Sequence, residues 1–591
     1  MQEPSDIKTK YIFFTLVGFF AISVAFICIM LSRITPDKRP INLKTTKIDY
    51  ATRGDIYSND GFSMATSEKL YKVSINPKNI SPDKFELFIN LFSIYSDIPK
   101  QTILEKLKNA KGYTTISYNI PTLKATSLKL LNSKLNQYNV FQEYEENGKV
   151  YQKMGISIQL SGYSRKYPYG DTMEPLLGYT QKLENQKITK VIGVKGSEKG
   201  ADDYLKSKKD GYSSGYRDIG FTIIANNYST QVSKVDGLNI TLTIPLRLQK
   251  KLEELIDTQN KRLQAKEILV GIMDSQSGKI LSIASSQRFD PKNIKKSDYP
   301  SLNISATETS FEAGSIIKPI IYAILLQKQL INPTQVIDLN NGIYKIGRHT
   351  IRDDHPLKSA TPPQILIKSS NIGMIKLTQE LGSQDFLDAL KAYGFGSPTG
   401  IDLPQEALGV LPDIAKLKGS YKASVSYGYG FRATFMQLLR AYASFSNGGL
   451  LITPKTIDYL SSPEGERYKI KTPPPTRVIS KSTAFEVQKI LQDITTQGTG
   501  KKAYVSEVKM GGKTGTARIF IDGKYTQRYN SSFFGFASDE RKSYTIGIVV
   551  FDPNVNEGYY GSQTAAPIFK EVVELLIKEK YLKTSKSPQT P

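Results

Sequence analysis

The feature that most constrains this chain of 591 residues is an uninterrupted apolar run near its amino terminus. Residues Tyr11 to Leu31 include no charged side chain. As a helix that rises about 1.5 Å per residue, a run of this length crosses a hydrocarbon core of about 30 Å. It is longer than the apolar region of a cleavable signal peptide, and no small-x-small cleavage site follows it. The sequence therefore predicts one uncleaved transmembrane anchor over residues 11–31.

The rest of the chain has the composition of a soluble, multidomain body. Hydrophobic residues make up 39% of the chain, too few for a transporter with many spans. The single cysteine, Cys28, lies inside the apolar run, so the body has no disulfide, no Cys-ligated zinc and no thiol nucleophile. The net charge of +24 comes from Lys and Arg spread along the chain. We interpret it as a solvated basic surface and predict no nucleic-acid partner.

A change in hydrophobic pattern divides the body into two predicted domains. After a polar linker around residues 35–46, short apolar stretches with Gly, Pro and Asn between them continue to about Lys234, which is typical of a mixed, extended domain. From Leu238 to Ile244 the pattern alternates like a strand, and Leu246 to Leu263 has helical periodicity. We predict a linker and first domain over residues 32–236, a second domain over 237–583 and a disordered tail over 584–591.

The second domain is predicted to mix strands and helices. Glu267 to Ala284 has the pattern of two strands joined by a polar turn at Ser275 to Gly278, which favours an antiparallel hairpin. Tyr544 to Phe551 indicates another core strand. A closing helix is predicted from its apolar face, formed by Ile568, Phe569, Val572, Val573, Leu575 and Leu576.

Ser315 and Lys318 form the first candidate catalytic pair, in the segment FEAGSIIKP. Their spacing places an amine one helical turn from a hydroxyl that it can deprotonate. Pro319 costs least near the start of a helix, so it places Ser315 close to a helix N-terminus, where the helix dipole favours negative charge. The same spacing recurs elsewhere in the chain and is not diagnostic by itself.

Two further segments supply the other groups that acyl transfer needs. Ser369-Ser370-Asn371 can supply a hydroxyl for proton relay and an amide that holds a peptide, although Ser and Asn are also common helix N-caps. Lys513-Thr514-Gly515-Thr516 occurs once, at the edge of a strand-like run. A glycine there lets another backbone approach closely, as a substrate that pairs with an edge strand requires.

In this order, the three segments together resemble the Ser-x-x-Lys, Ser-x-Asn and Lys-Thr-Gly set of penicillin-binding proteins and serine β-lactamases. The resemblance to class B penicillin-binding proteins covers nearly the whole chain. Its other segments are Arg53 to Ala65, Lys166 to Tyr179, Gly193 to Tyr204, Ser426 to Gly430, Ala441 to Gly449 and Gly498 to Gly500. The chain departs from the family at Ser58 and Asn59, where an acidic and a basic residue are usual, and at Ala313, where a proline is usual.

The resemblance implies an α+β fold: a penicillin-binding transpeptidase domain, with an antiparallel sheet flanked by helices, on an extended mixed α/β pedestal of the dimerisation type, with one N-terminal transmembrane helix. It implies that Ser315 attacks the penultimate D-Ala carbonyl of a stem peptide and that Lys318 accepts its proton. Ser369 with Lys513 would pass the proton to the leaving D-Ala. The residues implied to bind the substrate are Asn371, Thr514, Gly515 and Thr516.

The implied role of Lys318 as a base requires that its pKa be lowered. An amine must be neutral to accept a proton, so the Lys318 pKa must fall well below about 10.4. Burial and the nearby positive charge of Lys513 are the predicted causes.

The implied reaction also decides on which side of the membrane the body lies. Basic residues flank the apolar run on both sides, which by itself does not favour an outward-facing body. Large domains, however, translocate largely regardless of charge. We therefore predict a single-pass protein of the bacterial inner membrane, with residues 1–10 in the cytoplasm and the catalytic domain in the periplasm.

The resemblance implies stem peptides, the lipid-linked precursor and β-lactams as ligands, and a membrane-embedded glycosyltransferase and divisome proteins as partners. No cofactor and no metal are predicted. The only histidines, His349 and His355, flank Asp353 and Asp354 in what we interpret as a polar loop. A metal cluster there would lack a third group of ligands.

Within class B, the sequence favours a septal enzyme, because elongation-type enzymes often carry aspartate and serine at the positions of Asn371 and Thr514. An elongation-type transpeptidase is the alternative. A β-lactamase or an antibiotic-sensing receptor fits the large pedestal and single anchor poorly. A catalytically silent divisome scaffold is the alternative from outside the enzymes, and the intact nucleophile and base argue against it.

Overall fold

The computed structural model describes residues 4–34, 44–108, 110, 112–183, 188–218 and 222–584. Contacts divide the chain into two compact units, one formed by Met1–Ala51 with Lys208–Val235 and the other by Thr52–Ser207 with Asp236–Pro591. Parts of three predicted segments lie outside the described residues: 1–3 of the amino-terminal tail, 35–43 of the linker and 585–591 of the disordered tail. The domain boundary at residue 237 stays a prediction.

Helices and strands alternate irregularly in the part of the chain up to Val235. The helices are α1 Pro4–Ile34, α2 Phe85–Ser96, α3 Lys100–Lys108, α4 Thr122–Gln137, α5 Gly196–Gly200 and α6 Asp202–Leu205. The strands are β1 Lys44–Asp49, β2 Ile56–Tyr57, β3 Ser63–Ile75, β4 Thr114–Pro121, β5 Tyr144–Glu146, β6 Lys149–Tyr151, β7 Ser157–Lys166, β8 Thr180–Lys182, β9 Val191–Gly193, β10 Gly211–Tyr216 and β11 Thr230–Val232.

Longer strands and helices follow in the rest of the chain. The helices are α7 Leu246–Leu263, α8 Ser305–Glu308, α9 Lys318–Gln327, α10 Pro362–Lys368, α11 Asn371–Leu377, α12 Ser383–Ala392, α13 Gly419–Ser426, α14 Phe435–Ala443, α15 Lys481–Gln497 and α16 Ala565–Lys578. The strands are β12 Asn239–Leu242, β13 Glu267–Asp274, β14 Ile280–Ser285, β15 Ser310–Glu312, β16 Ile337–Asp338, β17 Ile343–Ile346, β18 His349–Arg352, β19 Ser359–Ala360, β20 Arg432–Thr434, β21 Leu450–Leu451, β22 Ile457–Ser461, β23 Arg467–Tyr468, β24 Thr476–Arg477, β25 Lys509–Ile521, β26 Lys524–Ser538 and β27 Ser543–Phe551.

Helix α1 contains the predicted transmembrane segment. Within the described residues, Lys8–Ser32 is the one stretch of helix long and apolar enough to cross a membrane. Its apolar side chains are exposed instead of packed into a core. A buried core helix, the other structure that such a run could form, is therefore excluded. The unit that contains α1 also holds a small antiparallel sheet in the order β1-β10-β11.

A five-stranded antiparallel sheet in the order β14-β13-β27-β26-β25 organises the carboxy-terminal part of the chain. Strand β13 is apolar on both faces: Ile268, Val270 and Ile272 pack in one core with α7 and α16, whereas Leu269 and Met273 belong to the core on the other side. Strands covered on both faces have such continuous apolar runs. The predicted antiparallel sheet flanked by helices is confirmed.

Several elements have the bounds that their periodicity predicts. Helix α7 spans the predicted residues, the hairpin between β13 and β14 turns at the predicted polar segment, and β27 is the predicted core strand. Five of the six apolar residues predicted for the closing helix are buried in α16, and Leu575 is partly buried against the same core.

A second sheet contains strands from both sides of the predicted domain boundary. Its order is β23-β22-β12-β2-β3-β4, with β7 also paired to β3. Strand β12 runs parallel to β2 and antiparallel to β22. The two predicted domains therefore share a sheet inside one compact unit.

Three buried charged side chains, Glu198, Arg53 and Arg165, form a network close to this sheet, which the partly buried Asp202 joins. The Glu198 carboxylate is inaccessible to solvent and accepts hydrogen bonds from Arg53 Nε at 2.9 Å and from Arg165 Nε at 2.6 Å. Arg53 also donates from Nη2 to the Glu198 carbonyl at 2.7 Å and from Nη1 to Asp202 at 2.6 Å. Buried charges are tolerated when they are paired and hydrogen-bonded in this way.

Replacing Glu198 with glutamine is expected to lower the free energy of unfolding by about 3–5 kcal/mol, because two buried guanidinium groups lose their shared counter-charge. Urea unfolding of the detergent-solubilised protein measures the change. As a control, Glu146→Gln breaks a pair with Lys78 that is largely exposed, so it should cost much less. Equal losses for the two variants would show that burial does not strengthen the Glu198 network.

Candidate active site

Ser315 lies in a short 3₁₀ turn, Gly314–Ile317, that leads directly into α9. Pro319 occupies the first turn of α9, where the helix needs no N–H donor from it. The serine is half-buried, and the helix N-terminus that it precedes favours negative charge. The predicted position of Ser315 at the start of a helix is confirmed.

The backbone around Ser315 is held by close contacts that require glycine. Gly314 has a φ of +56° and donates its N–H to the Gly428 carbonyl at 3.0 Å. A side chain at Gly428 would lie 2.1 Å from the Gly314 carbonyl oxygen, so the turn and the segment Ser426 to Gly430 fit only without one. Ala313, the departure from the usual proline, has a φ of −65°, which is the value that a proline imposes.

The Lys318 ammonium group lies fully buried against the segment Ser369 to Asn371. Its Nζ donates to the Ser369 carbonyl at 2.7 Å, to Asn371 Oδ1 at 2.7 Å and to Ser369 Oγ at 3.3 Å. An ammonium group has three protons to donate. In the described residues all of them go to this segment, and none goes to Ser315 Oγ.

Burial changes the titration of both lysines of the site. It lowers the pKa of Lys318 to about 7, against the opposing charges of Asp353 and Asp354. Burial, and after it the positive charge of Lys318, lower the pKa of Lys513 well below its usual range. The Lys318 pKa falls as predicted, with burial as its cause, whereas the other predicted cause, the positive charge of Lys513, does not contribute to the shift. Because the Lys318 charge lowers the Lys513 pKa, the state in which both buried amines are charged is disfavoured.

Lys513 to Thr516 lie in the predicted strand, in the middle of β25 and not at its end, and β25 is an edge strand of the five-stranded sheet. A side chain at Gly515 would lie 2.5 Å from Ser532 Oγ and 2.9 Å from Ile316, so the strand and the turn that carries Ser315 approach closely. Thr514 Oγ1 lies 2.9 Å from Thr499 Oγ1, and Thr516 Oγ1 accepts the Gly561 N–H at 3.0 Å. An edge strand leaves backbone groups open for pairing with an extended peptide.

The segment Ser369-Ser370-Asn371 joins two helices. Ser369 ends α10 with a φ of +59°, and Ser370 is the N-cap of α11, accepting the Gly373 N–H at 2.8 Å. The helix N-cap, which the sequence left open as another role for this segment, is therefore present at Ser370. The outer residues, Ser369 and Asn371, are the ones that contact Lys318.

The sequence missed one residue of this neighbourhood, Asp353. The sequence predicts a polar loop for Asp353 and the two histidines, but Asp353 is 7% exposed and accepts three hydrogen bonds from the segment that begins α11. His349 lies in β18 and not in a loop. Across the described residues, no group of three or more His, Cys, Asp or Glu side chains could hold a metal ion.

Two family descriptions match the chain. Residues 268–574 match the penicillin binding protein transpeptidase domain, which is more than half of the chain, and residues 48–242 match the penicillin-binding protein dimerisation domain. The first range holds all eight predicted site residues, and the second holds the buried network around Glu198.

Curated relatives and a solved structure extend the match. Probable peptidoglycan D,D-transpeptidase PenA of Neisseria meningitidis serogroup A is 27% identical over 88% of this chain and 84% of its own. Peptidoglycan D,D-transpeptidase FtsI of Buchnera aphidicola is 27% identical over 95% of this chain and 92% of its own. Penicillin binding protein 2X of Streptococcus thermophilus superposes with a TM-score of 0.71 at 22% identity, covering 92% of this chain and 83% of that one. The α+β fold that the sequence predicts is shared with that structure.

Proposed function

Because this chain belongs to the penicillin-binding protein transpeptidase family, we propose that it cross-links peptidoglycan stem peptides through an acyl-enzyme on Ser315. The observation that carries this proposal is the convergence of three distant segments. The turn with Ser315, the segment Ser369 to Asn371 and the edge strand with Lys513 meet around two buried amines of lowered pKa. Perturbed titratable groups of this kind concentrate at catalytic sites.

In the first step, Ser315 Oγ attacks the carbonyl carbon of the penultimate D-Ala of a stem peptide. The neutral amine of Lys318 accepts the hydroxyl proton, and a carbon–oxygen bond forms. Once Lys318 has lost a proton it has a lone pair for the Ser315 hydroxyl while it keeps hydrogen bonds to Ser369 and Asn371. The lowered Lys318 pKa supports this role, because a general base works best with a pKa near the ambient pH.

The peptide bond to the terminal D-Ala then breaks, and the leaving amine takes up the proton through Ser369 and Lys513. Backbone N–H groups of Ser315 and Thr516 stabilise the oxyanion, a contribution of about 3 kcal/mol for each donor. Asn371 holds the substrate amide, and Thr514 and Thr516 hold its carboxylate. The open edge of β25 supports the binding of an extended peptide beside Gly515.

The amine of a second stem peptide completes the reaction. It attacks the acyl carbon, the ester bond to Ser315 breaks, and the proton of the amine returns to the serine oxygen. A β-lactam enters the first step in the same way and leaves Ser315 acylated.

The rate of Ser315 acylation is expected to rise with pH up to about 7 and to level off above it. The proposed base is neutral Lys318, whose pKa burial lowers to about 7, and its neutral fraction grows about tenfold for each pH unit below that value. The second-order rate constant for a labelled penicillin, measured over about two pH units on each side, gives the profile. A rate that keeps rising towards the ordinary lysine pKa of about 10.4 would exclude a neutral Lys318 as the base.

Mapping the acylated residue tests the proposed function. The full chain, solubilised in detergent, is incubated with a labelled penicillin, and mass spectrometry locates the adduct after proteolysis. A stable adduct on the peptide that contains Ser315 is the expected result. A folded protein without an adduct, or one that hydrolyses the penicillin rapidly as a β-lactamase does, overturns the proposal.

The exposed apolar helix and the family match make this chain a membrane-anchored bacterial protein. We propose that it lies in the inner membrane with its catalytic part in the periplasm, where the lipid-linked precursor and the stem peptides meet. A protease added to spheroplasts should degrade the body and spare the amino-terminal tail. Protection of the body would place it in the cytoplasm and contradict this orientation.

We further propose a septal role, with a membrane-embedded glycosyltransferase and divisome proteins as partners. Asn371 and Thr514 support it, because the elongation type often carries aspartate and serine at those positions. Depletion is expected to block division while side-wall growth continues, which microscopy with a fluorescent D-amino acid distinguishes. Loss of side-wall growth with intact division would favour the elongation type.

A further inference from the structure

Asp353 lies behind the segment Ser369 to Asn371, and no step of the reaction described above uses it. It directly follows β18, its side chain is buried, and its own N–H donates to the Gly342 carbonyl at 3.1 Å. A carboxylate is rarely buried unless it is paired or hydrogen-bonded. Its contacts therefore indicate what it does.

Among the described residues, the hydrogen bonds to its side chain all come from the start of α11 and its N-cap. Oδ1 accepts the N–H of Asn371 at 2.6 Å and the N–H of Ile372 at 3.2 Å. Oδ2 accepts the hydroxyl proton of Ser370 at 2.5 Å, and Ser370 Oγ in turn accepts the Gly373 N–H. These backbone N–H groups have no partner within the helix, so Asp353 satisfies donors that would otherwise stay unpaired.

The same segment receives the Lys318 amine on its other side. The Ser369 carbonyl and Asn371 Oδ1 each accept from Nζ at 2.7 Å. Ser369 has a positive φ, a conformation that a residue with a side chain adopts at an energetic cost and keeps only where its surroundings hold it. Holding Ser370 and Asn371 in place therefore helps to hold the acceptors of the Lys318 amine on Ser369 and Asn371.

We propose that Asp353 is a positioning residue for acyl transfer: its carboxylate holds Ser369 to Asn371 in the geometry that receives the Lys318 amine, and its negative charge partly balances the buried lysine pair. The inference rests on the proposed function, because it takes Lys318 as the base. Asp353 itself touches neither the nucleophile nor the substrate.

The charges around Lys318 set the sign of the expected pH effect. Asp353 is the first and Asp354 the second of the charges that raise the Lys318 pKa against burial, and the Lys318 charge in turn lowers the pKa of Lys513 in β25. Removing the Asp353 charge removes one of the two effects that raise the Lys318 pKa, so burial lowers that pKa further. The neutral amine then persists to lower pH, and the acidic limb of the acylation profile moves to lower pH.

Two variants of the full chain in detergent separate charge from position. Asp353→Asn keeps the shape and loses the charge, so we expect an acylation plateau about tenfold lower, as when charge-assisted hydrogen bonds become neutral ones, and an acidic limb at lower pH. Asp353→Glu keeps the charge and displaces it by one methylene, so we expect a plateau lower by about 10²-fold with the limb unmoved.

Asp354→Asn is the matched control. It removes the same charge one residue later, from an exposed side chain with no hydrogen bond to α11 among the described residues. We expect an unchanged plateau and a smaller movement of the limb. Melting temperatures of all three variants show whether each protein is folded.

Three results would overturn the proposal. One is an Asp353→Asn profile identical to that of the wild type, and another is equal slowing by Asp353→Asn and Asp354→Asn. The third is a slow Asp353→Asn variant with an unmoved limb and a lowered melting temperature, which would make Asp353 a structural residue only. Failure of the wild type to form any adduct is a different outcome, which rejects the proposed function itself.

Discussion

The Ser315→Ala variant is expected to react with a labelled penicillin at least about 10⁴-fold more slowly than the wild type, because the attacking oxygen is lost and no other group replaces it. The hydroxyl of Ser315 makes no hydrogen bond within the described residues, so its loss should leave the melting temperature unchanged. The substitution should therefore lower the acylation rate without changing the melting temperature. Intact mass after incubation, followed over time, gives the rate for both proteins.

Ser310→Ala is the matched control for this experiment. Ser310 lies in β15, five residues before the nucleophile, where its backbone pairs with β20 and its carbonyl accepts from Arg432, while its hydroxyl has no hydrogen bond among the described residues. Its acylation rate should equal that of the wild type. An adduct that forms on Ser315→Ala at the wild-type rate would show that another residue is the nucleophile. Normal growth with Ser315→Ala as the only copy would instead favour a scaffold over an enzyme.

The Lys318→Met variant is expected to lower the acylation rate by about 10³- to 10⁴-fold while the protein keeps or gains stability. Methionine has a similar length and carries no proton acceptor that could replace the amine. Burial penalises the Lys318 charge, and an apolar side chain of similar volume removes that cost. Measured on the same preparation, the acylation rate should thus fall while the free energy of unfolding stays the same or rises.

Lys328→Met is the control for this substitution. Lys328 forms a partly exposed pair with Asp385, so its loss should leave acylation unchanged. If Lys318→Met were acylated at the wild-type rate, the base would lie elsewhere, and Lys513 would be the first candidate to test. An arginine at position 318 should not rescue activity, because a guanidinium group is not deprotonated in proteins.

Much of the fold follows from short-range patterns. The bounds of α7, the hairpin of β13 and β14 and the buried face of α16 come from apolar periodicity, which depends only on neighbours along the chain. The motifs of Ser315, Ser369 and Lys513 could likewise be found, because each combines residue types and spacings that its chemistry requires. The sheet in which β12 pairs with β2 and β22 could not be predicted from the sequence. Strands that pair across hundreds of residues leave no local pattern in the sequence.

By itself, the sequence determined the apolar helix and the α+β class, and its resemblance to the family predicted eight site residues, whose roles stay predictions. Only the tertiary structure decided the electrostatics of the site: Lys318 and Lys513 are both fully buried, the charge of Lys318 lowers the pKa of Lys513, and the Asp353 carboxylate is buried against the start of α11. The physical reason is that a pKa depends on the desolvation and charges of groups that the fold brings together from separate segments. Residue type and spacing fix which groups can react, whereas packing sets their protonation.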